Sequence, residues 1–308
     1  MSAIATATSE WKIPGALFEI THYLLRGKNP ESLNQQLVVF VHGIGDYHTT
    51  WNFMAEHFMK AGFMVLQFDL IGRGFSLPPS NCKYGEEEHI GQLHDLLQGI
   101  AEQLPPPPYH FVCHSMGGAI GAIFASRYPQ FIRSLTLLSP AGLMGYFPLG
   151  LLHSVGSLQH VIKPLICNES GQRNAWKAGF YQHKGESLKI ENKYIADWAL
   201  MYQNNPGATD AFWKSALEFP MRNIDGHIQN LGRQNQFPIY LLWAKKDTAV
   251  PYHSCYKKWV NYLQSNEKNP EITCHFQTKV YKKAAHAFQL EFPTIVNQDI
   301  LQFLQSIQ

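Results

Sequence analysis

Short apolar runs alternate with amphipathic stretches along most of this chain. Leu37–Val41 (LVVFV), Phe63–Phe68, residues 109–113, Ile132–Leu138 and Ile239–Ala244 (IYLLWA) are nearly continuous and rich in β-branched or aromatic residues. Runs without polar alternation predict strands covered on both faces, as in a parallel sheet. Between them, 51–61, 85–103, the stretch from Met116, 252–264 and 290–306 carry helical spacing, and 274–281 reads as a last strand. Residues 16–25 (ALFEITHYLL) predict one or two edge strands closed by Gly27 and the Asn29-Pro30 turn. This rhythm predicts an α/β fold with a largely parallel sheet.

The rhythm stops at 141–236. That segment reads as several helices, broken near Pro164, Gly185, Asn205-Pro206-Gly207 and Pro220. Tyr194, Trp198, Met201 and Tyr202 recur on one helical face, a stripe expected to pack on the domain below and in part to line a pocket. The predicted organisation is a tail over 1–14, an α/β core over 15–140 and 237–308, and a helical cap over 141–236. The stretch 142–152 is nearly uncharged and rich in glycine, and Leu143 within it is expected either to touch an apolar substrate or simply to be buried beneath the cap. Four prolines at 105–108 predict a stiff connector into the strand at 109.

Composition narrows the classes. The 308 residues are 45% hydrophobic and 16% charged, with a net charge of +2. They suit one large packed core and give no basic surface for nucleic acid. The N-terminal residues lack the basic and apolar regions of a signal peptide, and no run approaches the roughly 20 apolar residues that span a bilayer. Five scattered cysteines without CxxC spacing suggest reduced thiols and a cytoplasmic setting. The Asn168-Glu-Ser triplet is discounted as a glycosylation site on the same grounds.

The most informative stretch is YHFVCHSMGGAIGA at 109–122. A strand turning sharply into a helix with a serine at the apex exposes that hydroxyl at the positive end of the helix. With it come His42-Gly43-Ile44-Gly45 after LVVFV, and Asp69-Leu-Ile-Gly-Arg-Gly-Phe-Ser76 after the next strand. Asp247 follows IYLLWA, with Ala249-Val250-Pro251, and His286 follows the last strand. In this order the motifs resemble the α/β-hydrolase fold family over nearly the whole chain, its lipase and esterase branch in particular, where small monoacylglycerol-lipase-like enzymes carry a helical cap. The resemblance implies a sheet of the eight-stranded type and a serine esterase. Ser115 would be the nucleophile, His286 the general base, Asp247 the residue orienting the imidazole, and the N–H groups of Ile44 and Met116 the oxyanion hole. Gly43 and Trp198 are expected to join Leu143 in contacting substrate. The first glycine of the family's elbow is Cys113 here.

The remaining candidates weaken on inspection. Asp247 could simply cap the helix after Pro251, and Asp225 is its rival as the third member. Most of the 15 histidines must be structural. His42 is expected to bond the oxyanion loop, His114 to point away from the nucleophile, and His89 with His94 lack a trusted metal spacing. No HExxH, Walker sequence or complete dinucleotide loop occurs, so no metal and no cofactor are expected. The expected partner is a small-molecule ester, monoacylglycerol- or lysophospholipid-like, and the cap could also touch a membrane surface. Two alternatives stay open: an aminopeptidase-like or C–C bond hydrolase using the same three residues, and a hydrolase-fold receptor. An amine-recognising site would want one of Glu169, Glu186, Glu191, Asp197, Asp210 or Glu218 facing Ser115. Glu291 rather than Asp after His286 argues against the HxxxxD acyltransferase pattern.

Overall fold

The strands follow the hydrophobic runs closely: β1 Tyr23–Arg26, β2 Leu37–Val41, β3 Met64–Phe68, β4 Tyr109–His114, β5 Ile132–Leu138, β6 Ile239–Ala244 and β7 Phe276–Tyr281. The computed structural model describes residues 21–29, 35–145, 169–205, 207–264 and 276–307. The seven strands form one sheet in the order β1-β3-β2-β4-β5-β6-β7. Only β1 runs antiparallel to its neighbour. An eighth strand is not seen among the described residues; part of the expected ALFEITHYLL segment, 16–20, lies outside them.

All residues of β2 are buried because both faces of the sheet are covered. Leu37, Val39 and Val41 face one cluster, against helices α2 (Glu86–Gly99), α3 (Met116–Arg127) and the later helix Tyr252–Leu263. Val38 and Phe40 face the other, against α1 (Asn52–Lys60) and the C-terminal helix Pro293–Gln305. This is why the sequence shows runs rather than alternation there.

The insertion after β5 holds four described helices: α4 Glu169–Ala178, α5 Gly185–Asn204, α6 Ala208–Glu218 and α7 Asp225–Gln234. Breaks fall at Gly185, at 205–207 and around Pro220; the break expected near Pro164 lies outside the described residues. Helix α7 packs against α3 and the helix Tyr252–Leu263 rather than over the sheet edge. Asn230 donates to Ser126 and Tyr262 donates to Asp225, tying α7 into the core layer. Helix α7, inside the expected 141–236 cap, thus packs with the helices beside the sheet. Three more helices complete the chain: α8 Tyr252–Leu263, α9 Phe288–Glu291 and α10 Pro293–Gln305.

Strand order reverses direction at β2, whose neighbours are β3 and β4. In open α/β sheets the crevice outside the carboxyl ends at such a point receives ligands. Val41 pairs with Cys113, so the ends of β2 and β4 sit side by side. The HGIG loop and Ser115 therefore emerge together.

Candidate active site

Ser115 lies between the end of β4 and the first turn of α3, at φ 57° and ψ −121°. A serine in this region costs on the order of 1–3 kcal/mol, held by the structure around it. Two bonds do the holding: Ser115 N–H donates to Leu138 C=O, and Ser115 C=O accepts from Ala141 N–H. Close approach completes the turn. A Cβ on Gly117 would meet the carbonyl oxygens of Val41 and His42 at 2.3 and 2.4 Å, so only glycine lets α3 pass the end of β2. Cys113 stands where the resemblance leads one to expect glycine, and its sulfur fills the room left by Gly121, where an added Cβ would come within 2.5 Å of Sγ. Burial pushes the Cys113 thiol far up, so no thiolate competes with the hydroxyl.

Three distant side chains converge. His286 Nε2 is 2.9 Å from Ser115 Oγ, and its Nδ1 is 2.7 Å from Asp247 Oδ2. Asp247 is buried and its Oδ1 accepts from the N–H groups of Ala249 and Val250 at 2.9 and 2.8 Å. With Asp247 so fixed, Nδ1 carries the ring proton and Nε2 accepts from the serine hydroxyl. Asp225, the rival carboxylate, is engaged by Tyr262 in the core layer instead.

Gly43 sits against the nucleophile: a Cβ there would lie 3.6 Å from Ser115 Oγ. His42 is fully buried, donates from Nδ1 to Gly43 C=O at 2.8 Å and accepts Leu70 N–H on Nε2 at 3.0 Å. Burial holds its pKa down to about 4, so the neutral ring is locked as a donor to the loop. A trans peptide points its N–H opposite its C=O, so Ile44 N–H is turned away from His42. Met116 N–H lies at the start of α3, where helical N–H groups lack intrahelical partners.

Sequence reasoning missed several polar residues. His114 lines the cavity beside Ser115 and donates from Nε2 to the His286 carbonyl at 3.0 Å, with the two rings 4.5 Å apart. Asp46 is fully buried beside the loop, accepting from Tyr47 N–H and from the Tyr194 hydroxyl of α5. Its other oxygen, Oδ2, has no partner among the described residues, and burial pushes its pKa up to about 7. Asp69 accepts from the rings of His22 and His48 and from the N–H groups of His48 and Phe75. Its oxygens are so fully used that these two histidines and Asp69, the one group of metal-ligand type among the described residues, read as a hydrogen-bonded hub.

A cavity of about 360 Å³ opens from Ser115 and His286. Ile44, Met144, Trp176, Phe212, Met221 and Val250 give it an apolar wall. Gly43 is in that wall. Leu143 and Trp198 are not: Leu143 is buried in the core cluster, and Trp198 packs with Tyr47, Met201 and Tyr202 while its Nε1 donates to Gly45 C=O. Met144 and Trp176, one residue along and one helix away, take the places expected of them. Glu186, Glu191, Asp197, Asp210 and Glu218 do not line the cavity, and the Glu169 side chain lies outside what the structure describes; Glu191 bonds His183, and Asp197 pairs with Lys193.

The family described as alpha/beta hydrolase fold matches residues 36–164. A dihydrolipoyllysine-residue acetyltransferase component of the acetoin cleaving system of Pseudomonas putida is 26% identical over 87% of this chain and 63% of its own. A probable lysophospholipase of Arabidopsis thaliana, BODYGUARD 4, is 29% identical over 70% of this chain and 54% of its own. The chain spans between about half and two thirds of the length of these curated relatives. Among solved structures, a bromoperoxidase of Bacillus anthracis superposes with a TM-score of 0.73 over 97% of this chain and 100% of that one, at 19% identity. None of the described helices is long and apolar enough to cross a membrane.

Proposed function

We infer that this chain, which belongs to the α/β-hydrolase fold family, is a serine hydrolase cleaving carboxylic esters of apolar, lipid-like acyl groups. The observation that carries the reading is the hydrogen-bonded run from Asp247 through His286 to Ser115, ending at the mouth of an apolar cavity. In the first half-reaction Ser115 Oγ bonds to the ester carbonyl carbon while its proton passes to His286 Nε2. The carbonyl oxygen becomes an oxyanion facing the N–H groups of Ile44 and Met116. Collapse breaks the bond to the leaving alcohol, which takes the proton from His286. Water then repeats the cycle on the acyl-enzyme and releases the acid. Asp247 keeps the proton on Nδ1 and stabilises the imidazolium without itself being protonated.

The apolar wall supports an acyl chain, and the relative named a probable lysophospholipase accords with that reading. An aminopeptidase-like role is disfavoured by the lack of a carboxylate facing Ser115 among the described residues. Labelling with a fluorophosphonate, followed by turnover of p-nitrophenyl esters of graded length, tests the reading. Ser115→Ala is expected to lose both labelling and turnover, and medium or long esters to exceed the acetate in kcat/KM. Labelling that survives the substitution defeats the nucleophile assignment; preference for acetate defeats the lipid-like substrate.

A further inference from the structure

Arg73 is fully buried, yet no carboxylate among the described residues pairs with it. Its donors end on uncharged oxygens: Nε on Ile44 C=O at 3.0 Å, Nη1 on Ile71 C=O at 2.8 Å, and Nη2 on Ala211 C=O at 3.0 Å and Ser215 Oγ at 2.8 Å. Burial lowers its pKa only to about 10, so the side chain is a cation at neutral pH. The guanidinium also lies over the Tyr84 ring, 5.7 Å from its centroid, so dipoles and an aromatic face meet the charge rather than an anion. With no anion beside it among the described residues, the positive charge is not neutralised locally.

The bonds join three elements. One is the loop holding Ile44, one is the loop of Arg73 itself, and the third is α6, which carries Phe212. A Cβ on Gly45 would touch the Phe212 ring at 3.4 Å, so α6 packs on the same loop that Arg73 ties to it. Because Ile44 C=O is drawn to Arg73 and Gly43 C=O to His42, two successive carbonyls are tied back. Their N–H partners are thereby turned the opposite way.

We propose that Arg73 is a positioning residue for ester hydrolysis: it clamps the Ile44 carbonyl to the cap helix α6, and its charge stabilises the negative oxygen formed in front of that loop. The proposal rests on the serine-hydrolase reading above. Arg73 touches no substrate; it fixes the Ile44–Gly45 peptide, next along the chain from the Gly43–Ile44 peptide whose N–H faces the oxyanion. A fixed cation behind the loop favours the anionic transition state over the neutral ester, so its effect falls on kcat.

The test compares wild type, Arg73→Met, Arg73→Lys and Ser215→Ala on one p-nitrophenyl ester. Two inhibitors separate the states: a trifluoromethyl ketone, whose serine adduct carries the oxyanion, and an uncharged ether of the same chain. Arg73→Met is expected to lower kcat on the order of 10–100-fold, less than direct loss of an oxyanion donor. KM should move less than about threefold, and ketone affinity should fall with kcat/KM while ether affinity holds. Arg73→Lys should recover part of the loss, and Ser215→Ala should loosen the cap with a smaller effect on kcat. Wild-type kcat in Arg73→Met, or equal weakening of ketone and ether, overturns the proposal. Should Arg73→Met not fold, Arg73→Lys carries the same comparison. A wild type that neither labels at Ser115 nor turns over esters defeats the functional reading instead. The clamp is then read by hydrogen exchange at the Ile44–Asp46 amides, where unchanged protection in Arg73→Lys overturns it and lost protection supports it.

Discussion

At the scale of single residues, the buried polar groups beside the HGIG loop carry the sharpest physical consequences. Asp46 shows this best. Its carboxyl ionises near the ordinary 3.8 when exposed, but burial, against the hydrogen bonds from Tyr194 and Tyr47, moves it to about 7 in the folded protein. Between those values the native state holds a proton that the unfolded chain has released. Stability therefore falls as pH rises through that window, and the penalty is complete above about pH 7. Tyr194 comes from the cap, so the same carboxyl also ties the loop to its roof. Asp46→Asn keeps the shape and cannot ionise. Thermal midpoints from about pH 5 to about pH 8 should decline in the wild type and decline less in Asp46→Asn. Parallel profiles for the two proteins would show that Asp46 does not titrate in that range.

Elements show where the sequence was readable and where it was not. Strands β2, β5 and β6 match LVVFV, 132–138 and 239–244 end for end; burial on both faces leaves an unbroken apolar run in β2 and β6, while β5 keeps its leucines among Arg133, Ser134 and Thr136. The loops that end β2, β4, β6 and β7 were equally legible, since the motifs mark them by glycine spacing and by the residues that follow each strand. Helix α5 was harder. Its stripe of Tyr194, Trp198, Met201 and Tyr202 says that a face is covered, yet periodicity does not say whether protein or cavity covers it, and Trp198 turned out to be packing. Arg73, Asp46 and His114 were invisible as buried groups, because hydropathy places such residues outside. One element-level detail is testable at the contact of β4 and α3. Gly121→Ala places a Cβ 2.5 Å from Cys113 Sγ, and since both are buried the clash is not relieved by rotation into solvent. The expected cost is about 1–3 kcal/mol in denaturant unfolding. Adding Cys113→Ala removes the sulfur, so the double variant should be more stable than the sum of the two singles predicts. Simple additivity would mean that the helix shifts instead.

For the whole molecule, the question is what holds a roof of helices over a sheet edge. Much of the joint is polar. Trp198 donates to Gly45 C=O, Asn205 donates to Gly74 C=O, and Arg73 reaches Ala211 and Ser215. On the opposite side Glu291 of α9 accepts from the N–H groups of Tyr181 and Gln182, while Ala287 N–H donates to Gly179 C=O. Ser187 at the start of α5 turns its hydroxyl to the same carboxylate. Glu291 follows His286 by five residues, so the segment that presents the imidazole also moors the turn between α4 and α5. Directional bonds of this kind fix a geometry at modest net gain, about 0.5–1.5 kcal/mol each and about twice that to a charged acceptor. Glu291→Ala strands two backbone donors on the cap while leaving the Asp247–His286–Ser115 run untouched. Opening of the α4–α5 region should then approach the low-stability end of the molecule, with hydrogen exchange faster at 181–190 than in the β4–β5 core. Because Trp176 and Phe212 line the cavity from the cap, loosening it should raise KM for long-chain esters more than for the acetate, with kcat on the acetate nearly unchanged. An equal rise for both esters would mean that the cap contributes nothing to holding the chain. A parallel loss of kcat would mean that Glu291 supports His286 rather than the roof.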